Sequence, residues 1–308
     1  MTSVNAARRL LFVHAHPDDE SSKAAATAAR YVDEGARVTL VTCTDGAAGE
    51  VLNPSFPTAV LDAVDMARIR RDELADAVAA IGFHAVHQLG YADSGWHEDA
   101  SLVPEGTFAR MDLDVAAEAL AQVLRNERPH VVVTYPENGG YPHPDHIMTH
   151  LVSVRAVELA APDWQVAKVY AANTFLRERV LALHEAMLAA GLESPYADWI
   201  ESGRRPDIVP HARIHCADTF ERRDAALRAH ASQVDPDGMW FAVPRDLERA
   251  AYPWEAYEML WSLVPTVVPE ADLFDGLDPV AWDAAEAERT GVGTATATGA
   301  AQSTRSSR

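Results

Sequence analysis

The feature that most constrains the fold of this chain is a repeated alternation of short apolar segments with longer segments of strong helix formers. The apolar segments are rich in aliphatic and β-branched side chains, as buried strands are, and they span residues 10–13, 38–43, 85–89 and 130–135. Helical segments follow at about residues 20–34, 60–81 and 115–126. This alternation predicts a Rossmann-like α/β fold, with a mostly parallel sheet covered by helices on both faces.

The length of 308 residues, 48% of them hydrophobic, is enough for the core of one large domain. We expect a single catalytic domain over residues 1–282, with a Rossmann-like core at about 9–165 and a substrate-capping part at 166–282. Within that part, residues 168–173 could form a further strand, and the aromatic-rich segment 252–264 is interpreted as a cap on the pocket. Residues 283–308 lack periodicity and predict a disordered tail.

Charge and cysteine content exclude several classes of protein. The 26 basic residues against 46 acidic ones give a net charge of −20, which argues against binding to nucleic acid or an anionic membrane. With no long apolar run and a short polar N-terminus, a cytoplasmic location is predicted. The two cysteines are far apart, so any metal must be bound by histidine and carboxylate. The first strand is not followed by GxGxxG, so no dinucleotide is indicated.

The first polar motif, HAHPDDESSK, spans residues 14–23 and directly follows the first predicted strand. It therefore lies on a strand-to-helix turn at the carboxyl end of a strand, where open α/β sheets bind their ligands. Two histidines and three carboxylates in one turn are electrostatically costly without a cation. A divalent metal is the simplest way to offset that cost.

The second motif, PENGGYPHPDH, spans residues 136–146 and follows the fourth predicted strand. His143 and Pro144 are typical of a helix start with proline at its first position. Two histidine-rich loops thus leave the carboxyl ends of two strands of one sheet, and they can meet if the strands are neighbours. His16 and Asp19 are three residues apart, as are His143 and His146, so each pair can point to one side of a helical turn.

The sequences AHPDDE at 15–20 and HPDH at 143–146 together resemble the motifs of the zinc-dependent N-deacetylase family (LmbE-like, PIG-L). That family includes the GlcNAc-phosphatidylinositol and GlcNAc-inositol deacetylases. Within it, the chain is more similar to the mycothiol S-conjugate amidases, through residues 14–23, 49–54, 137–146 and 224–236, and the resemblance covers about residues 9–260.

The resemblance implies hydrolysis of the glucosaminyl amide of a small-molecule substrate, a mycothiol S-conjugate. The products would be an N-acetylcysteine S-conjugate and glucosaminyl-inositol, in a thiol detoxification step. Deacetylation of GlcNAc-inositol, or of another N-acyl glucosamine, stays open as the alternative. A sugar-binding module without activity is disfavoured, because binding alone requires no base beside a metal.

By the same resemblance, His16, Asp19 and His146 are the ligands of a Zn²⁺ ion, and Fe²⁺ is also compatible with imidazole and carboxylate. Asp18, next to a ligand, is assigned as general base. The alternative is that it only caps the following helix. His150, four residues after His146, could chelate the metal but is expected to pack or hydrogen-bond nearby.

The resemblance further implies that the Tyr141 hydroxyl stabilises the oxyanion. His143 is the candidate for a cationic stabiliser or an acid toward the leaving amine. Asp145 is expected to orient a histidine, with a plain helix-start carboxylate as its alternative.

Four further residues are candidates for substrate binding: Lys23, Glu50, Arg70 and Asp93. The family motif places a substrate-binding arginine at Arg70, and salt bridges to Asp72 or Glu73 are the alternative. Asp93 and Glu50 could accept hydrogen bonds from sugar hydroxyls, although Asp93 could instead form an Asx-turn.

Lys23 occupies a position where the S-conjugate amidases carry a lysine, so contact with the cysteinyl side of the substrate is predicted, and a solvated helix lysine is the alternative. Three aromatic residues, Trp96, Trp240 and Phe241, could shape a pocket for the S-linked group or simply pack in the core.

Overall fold

The computed structural model describes residues 7–62, 64–97, 99–202 and 208–291. Its centre is a seven-stranded sheet with the strand order β3-β2-β1-β4-β5-β7-β6. The strands are β1 (Arg9–His14), β2 (Arg37–Thr44), β3 (Ala85–Tyr91), β4 (Val131–Thr134), β5 (Lys168–Asn173), β6 (Ala212–His215) and β7 (Trp254–Ser262). The first five strands of that order pair in parallel, and β7 runs antiparallel to both β5 and β6. The predicted mostly parallel α/β sheet is thus confirmed.

The described part of the chain forms ten helices, several of which cover the two faces of this sheet. They are α1 (Asp19–Ser22), α2 (Ala25–Asp33), α3 (Met66–Ile81), α4 (Leu113–Glu127), α5 (Pro144–Ala160), α6 (Arg177–Ala189), α7 (Ala197–Glu201), α8 (Phe220–Ala229), α9 (Arg245–Ala251) and α10 (Pro279–Thr290). Alternate residues of β1 point to opposite faces. Leu10 and Phe12 join the core under α2, α3 and α8, whereas Leu11 and Val13 join the core under α4 and α5.

The segment 20–34, which we predicted as one helix, forms two. The helix α1 ends before Lys23, which is extended, and α2 begins after Ala24, whose φ of 73° is left-handed. Likewise, the predicted helix 60–81 is a 3₁₀ turn at Thr58–Asp62 and then α3, which Asp65 caps by accepting a 2.8 Å hydrogen bond from the Arg68 N–H. In both cases a local break in the backbone interrupts a continuous run of helix formers.

The boundary that we predicted at 165/166 does not separate a core from a cap. Three strands of the central sheet, β5, β6 and β7, come from the segment 166–282. The proposed aromatic cap at 252–264 is largely β7, a strand inside the sheet. Most of the aromatic side chains in this segment belong to that strand. Aromatic content alone could not distinguish a strand of the sheet from a cap over the pocket.

The expected disordered tail is also wrong in its first part. Residues 279–290 form α10, which Asp278 caps through hydrogen bonds from the Val280 and Ala281 N–H groups. Asp283 of this helix binds Arg9 and His130 beside the sheet. Residues 292–308 lie outside the described residues. Among the described helices, none is long and apolar enough to cross a membrane.

Candidate metal centre and active-site cleft

The turn after β1 has a strained backbone that brings two candidate ligands together. Asp18 has a φ of 120°, a conformation that a residue with a side chain adopts only when its surroundings hold it there. Glu20 contributes to that hold, because its Oε2 accepts a 2.9 Å hydrogen bond from the Asp18 N–H. The same turn places the Asp19 carboxylate 3.0 Å from the His16 N–H and 3.3 Å from His16 Nδ1.

The loop after β4 completes a three-residue group, as the sheet order β1-β4 requires. Asp19 Oδ2 lies 3.3 Å from His16 Nδ1 and 3.3 Å from His146 Nε2. All three residues are buried, and their ligand atoms could hold a metal ion. In a tetrahedral zinc site with bonds of about 2.0–2.1 Å, two ligand atoms lie about 3.3–3.4 Å apart. The two separations at Asp19 Oδ2 are therefore compatible with ligand atoms that share one metal ion.

Hydrogen bonds to the far sides of both imidazoles fix which nitrogen faces the group. His146 Nδ1 donates to the Gly139 carbonyl at 3.0 Å, so its Nε2 is the ring nitrogen that faces Asp19 Oδ2. His16 Nε2 lies 3.2 Å from Asp145 Oδ2, so its Nδ1 is the ring nitrogen that faces Asp19 Oδ2. Such outer partners are typical of histidines that bind metals.

Acidic and basic side chains are mixed within and around this buried group. Burial opposes charging of His16, but hydrogen bonds to Asp145, Asp19 and Asp93 raise its pKa well above the ordinary value. Burial also opposes ionisation of Asp19, yet Lys23 and His146 hold the pKa of this carboxyl well below its usual range. An ionised Asp19 carboxylate between two imidazoles is a set of donor groups that suits a divalent metal.

Asp145 orients His16 instead of acting as a plain helix-start carboxylate. It is fully buried and accepts hydrogen bonds from the Ser94 N–H at 2.9 Å, from the Ser94 hydroxyl and from His16 Nε2. His16, His143 and Asp145 form a second group whose ligand atoms are close enough to hold a metal ion. His150 Nδ1 donates to the Tyr135 carbonyl at 2.8 Å, which directs it away from the ligand group.

Asp18 is held by Arg70, which is the partner that sequence spacing did not reveal. Arg70 Nη2 donates to Asp18 Oδ2 at 2.7 Å and to the Pro17 carbonyl, and Nη1 donates to the Gly46 carbonyl at 2.9 Å. The alternative of a salt bridge to Asp72 or Glu73 is wrong, because Glu73 instead accepts from Ser232. Burial raises the pKa of Asp18, and the Arg70 charge partly counters the rise.

The close approach of Arg70 explains a glycine in the loop after β2. A Cβ on Gly46 would lie 2.6 Å from Arg70 Nη1, and the φ of +68° at this position is left-handed. Gly46 therefore allows the guanidinium to reach Asp18.

Tyr141 and His143 stand beside the metal group. The Tyr141 hydroxyl is 3.5 Å from His146 Nε2, and burial together with Asp19 and Asp18 raises the pKa of this phenol, which keeps it a donor. His143 Nδ1 accepts a 3.1 Å hydrogen bond from the Asp145 N–H, and burial with the nearby His16 charge lowers the His143 pKa to about 4. A cationic His143, one of the roles that we predicted, is inconsistent with this geometry, because protonation of Nδ1 would remove its acceptor.

The four candidate substrate residues differ in how far they are accessible to a ligand. Lys23 lines the cleft and forms an ion pair with Asp19, so it is not a solvated helix lysine. Glu50 is exposed in the loop after β2. Asp93 and Arg70 are instead buried. Asp93 forms the Asx-turn that we weighed as its alternative, with Oδ1 accepting from the Gly95 N–H at 2.9 Å, and it lies 3.5 Å from His16 Nε2.

Sequence reasoning missed three contributors to the site. Tyr135 donates to Asp19 Oδ2 at 2.7 Å and stacks on the His146 ring at 4.4 Å between centroids. Ser94 holds Asp145, as described above. His230, at the end of α8, binds Glu20 Oε1 at 2.6 Å, and both side chains are fully buried. The HASQ sequence at 230–233 was the available signal for His230, but it entered only as part of the resemblance.

A cleft of about 600 Å³ opens beside this group at the carboxyl edge of the sheet. Its walls include Asp18, Asp19, Lys23 and Tyr141 from the two motifs, and Asn173, Phe175 and Trp240 from the far side. A cleft of this size suits a small molecule of several rings. It lies between β1 and β4, where the strand order switches: β1 is followed by β2 on one side, and β4 is followed by β5 on the other. Such a switch point is the usual ligand position in open α/β sheets.

The structure resembles solved structures with the same architecture. A conserved protein from Thermus thermophilus matches with a TM-score of 0.54 and 22% sequence identity, over 83% of this chain and 96% of that one. This likeness establishes the fold. The fold, the site and the sequence relatives together define an amide hydrolase of the amidase and deacetylase class.

Sequence comparison gives the family. The model for PIG-L, GlcNAc-PI de-N-acetylase, matches residues 11–157. Mycothiol S-conjugate amidase from Streptomyces coelicolor is 47% identical, over 87% of this chain and 97% of its own length. A 1D-myo-inositol 2-acetamido-2-deoxy-alpha-D-glucopyranoside deacetylase from Geodermatophilus obscurus is 42% identical, over 88% and 98%. The chain belongs to the PIG-L family.

Proposed function

We propose that this protein is a zinc-dependent amidase that hydrolyses the glucosaminyl amide of mycothiol S-conjugates. The observation that carries the proposal is the position of Asp18, held by Arg70 beside the group of His16, Asp19 and His146 in an open cleft. The 47% identity to a mycothiol S-conjugate amidase supports the substrate class. A cytoplasmic location stays a prediction.

In this proposal His16, Asp19 and His146 hold zinc. When bound there, zinc would lower the pKa of a water molecule and polarise the amide carbonyl. Fe²⁺ would suit the same ligands. Asp145 and the Gly139 carbonyl keep the two imidazoles in the tautomers that binding requires.

Asp18 serves as the base and then as the acid. Its raised pKa lies closer to neutral pH, which suits a group that accepts a proton from water and later returns it. A C–O bond forms between water and the carbonyl carbon, and the C–N bond then breaks. The proton held by Asp18 goes to the leaving amine, and the products are a carboxylic acid and an amine, which ionise to a carboxylate and an ammonium ion.

Tyr141 and His143 act on the carbonyl and the leaving group as neutral donors. The Tyr141 hydroxyl, kept protonated by its raised pKa, donates to the oxygen on which negative charge develops. His143 accepts at Nδ1 from the Asp145 N–H, so its Nε2 carries the proton and can donate to the substrate. Glu50, Asp93, Arg70 and Lys23 stay candidates for substrate contact, the first three toward the sugar and Lys23 toward the acyl side.

The second candidate is deacetylation of GlcNAc-inositol, which the 42% identity to such a deacetylase favours. The test compares kcat/KM of the zinc-loaded protein for a mycothiol S-conjugate and for GlcNAc-inositol, with Asp18→Asn beside both. We expect preference for the conjugate and a loss of about 10²–10⁴-fold in the variant. Preference for GlcNAc-inositol would assign the deacetylase instead, and an active Asp18→Asn variant would remove Asp18 as the base.

A further inference from the structure

The two sides of the candidate metal centre differ in chemistry because of the strand order. The metal group comes from the loops after β1 and β4, which are central in the order β3-β2-β1-β4-β5. The loops after β2 and β3, on one side, carry the acidic residues Asp45, Glu50 and Asp93. The loop after β5, on the other side, contributes apolar surface to the cleft through Phe175 and Leu176.

The apolar side is extended by residues that arrive from elsewhere in the chain. Trp240 lies opposite the β5 loop, and its ring is 5.6 Å from that of Phe175, tilted by 38°. Leu227 lines the cleft together with these residues. The cleft therefore has an aromatic wall, made of Phe175 and Trp240, on the side of the metal group away from the acidic loops.

This wall is held in place by a buried ionic network. Arg245 Nη2 donates to the Trp240 carbonyl at 2.5 Å, and Arg179 Nη1 donates to the Thr174 carbonyl at 3.4 Å. Both arginines also bind Glu248, at 2.8 and 2.9 Å, and only 1% of this residue is exposed. One buried carboxylate thus anchors both halves of the wall, so the wall is a preorganised surface.

The other aromatic residues that we considered for this role lie elsewhere. Trp96 is on the β3 loop, 5.8 Å from both the Tyr141 and His143 rings, on the acidic side. Phe241 packs under the guanidinium groups of Arg228 and Arg245, at 4.2 and 5.5 Å. Trp240 is the member of that trio that lines the cleft next to Phe175.

We propose that the aromatic wall binds the apolar group carried on the sulfur of the substrate. This inference rests on the proposed amidase function. A substrate whose scissile amide lies at the metal group has a polyhydroxylated half, which suits the acidic loops, and an acyl half, which must then extend along β5. Burial of an apolar substituent against Phe175 and Trp240 selects conjugates with aromatic or long alkyl groups over those with small ones.

The test measures binding and hydrolysis separately. The ligands for calorimetry are two carboxylates of the product type, N-acetyl-S-benzylcysteine and N-acetyl-S-methylcysteine, titrated into the zinc-loaded protein. We expect the benzyl ligand to bind about 10-fold or more tightly than the methyl ligand. The Trp240→Ala variant should lose most of that difference, and Trp240→Phe should restore part of it.

Kinetics with the corresponding mycothiol S-benzyl and S-methyl conjugates complete the test. Trp240→Ala and Phe175→Ala should each raise KM for the benzyl conjugate by about 10-fold and change KM for the methyl conjugate by less than about 3-fold. Trp96→Ala, on the acidic side, should affect both conjugates alike. Equal affinity of the native protein for the two ligands, or equal loss of both in Trp240→Ala, would overturn the wall assignment even if hydrolysis proceeds. Failure to cleave either conjugate while the benzyl preference holds would instead overturn the proposed amidase function.

Discussion

Arg70 Nη2 donates a 2.7 Å hydrogen bond to Asp18 Oδ2 across 52 residues of sequence. The guanidinium is 97% buried and also binds two backbone carbonyls of the flanking loops, so it fixes the carboxylate and the turn together. This arrangement indicates that Arg70 positions Asp18, the base in our proposal. It does not require that Arg70 contact the substrate.

We expect Arg70→Met to lower kcat by about 10-fold to 100-fold, because a misplaced base loses most of its contribution. The zinc content, measured by atomic emission, should stay near that of the native protein. Arg71→Met, an exposed neighbour on the same helix, is the matched control. If Arg70→Met instead raises KM at constant kcat, the substrate-binding role from the sequence is correct.

Removal of His146 tests the ligand group. His146→Ala should abolish stoichiometric zinc binding, because it removes one of the three proposed ligands. His150→Ala should retain zinc, because His150 lies one turn further along α5 and binds the Tyr135 carbonyl. Equilibrium dialysis against a zinc buffer measures both. If His146→Ala keeps zinc and His150→Ala loses it, then His150 and not His146 is the ligand.

Much of this site could be predicted from the sequence because its central residues are local. His16 and Asp19 share one turn, and His143 and His146 share another, so spacing alone grouped them. The strand pattern then placed both turns at one edge of the sheet. The resemblance added the zinc and base roles, which spacing does not determine.

The remaining contacts could not be predicted because they join distant segments. His230 meets Glu20 across 210 residues, and Ser94 meets Asp145 across 51. Tyr135 belongs to an apolar segment, where the sequence pattern indicates only that a tyrosine packs in the core. Its hydroxyl role becomes visible only when β1 and β4 are paired. The order β5-β7-β6 likewise depends on antiparallel pairing that the βα rhythm does not indicate.

The Tyr135 hydroxyl should tune metal affinity. It donates to Asp19 Oδ2 at 2.7 Å and accepts from the Ala15 N–H at 3.0 Å. Tyr135→Phe should therefore weaken zinc binding by about 10-fold to 100-fold, as for other outer partners of metal ligands. Competition with a fluorescent chelator gives the dissociation constant.

A distant tyrosine controls for the general cost of losing a buried hydroxyl. Tyr31 is fully buried, and its hydroxyl donates to Asp272 at 2.7 Å, away from the site. Tyr31→Phe should lower the free energy of unfolding by about 1–2 kcal/mol. Its zinc affinity should be native. Equal zinc affinity in the two variants would show that the Tyr135 contact to Asp19 contributes only to folding.

A buried histidine far from the metal group should make stability depend on pH. His130 Nδ1 accepts from the Arg9 N–H at 3.1 Å, and Nε2 donates to Asp283 of α10 at 3.0 Å. Burial and the Arg9 charge lower its pKa from 6.5 to about 4. Between these values the unfolded chain binds a proton that the folded chain does not, so the free energy of unfolding falls as pH decreases from about 6.5 to about 4.

The loss of unfolding free energy that protonation of His130 causes over this pH range is about 3 kcal/mol, at about 1.4 kcal/mol for each unit of pKa difference. His130→Gln should be less stable than the native protein at pH 7.5, because the replacement disturbs both hydrogen bonds. Its free energy of unfolding should fall less steeply from pH 6.5 to 4.5 than that of the native protein. The difference in slope should correspond to at most one bound proton. Urea unfolding at several pH values measures the slope, with the exposed His215→Gln as control. Other groups, including the ligands of any bound metal, titrate in both proteins, so the difference in slope isolates His130. Identical slopes would mean that His130 is protonated in the folded state, and that its bond to Asp283 is an ion pair.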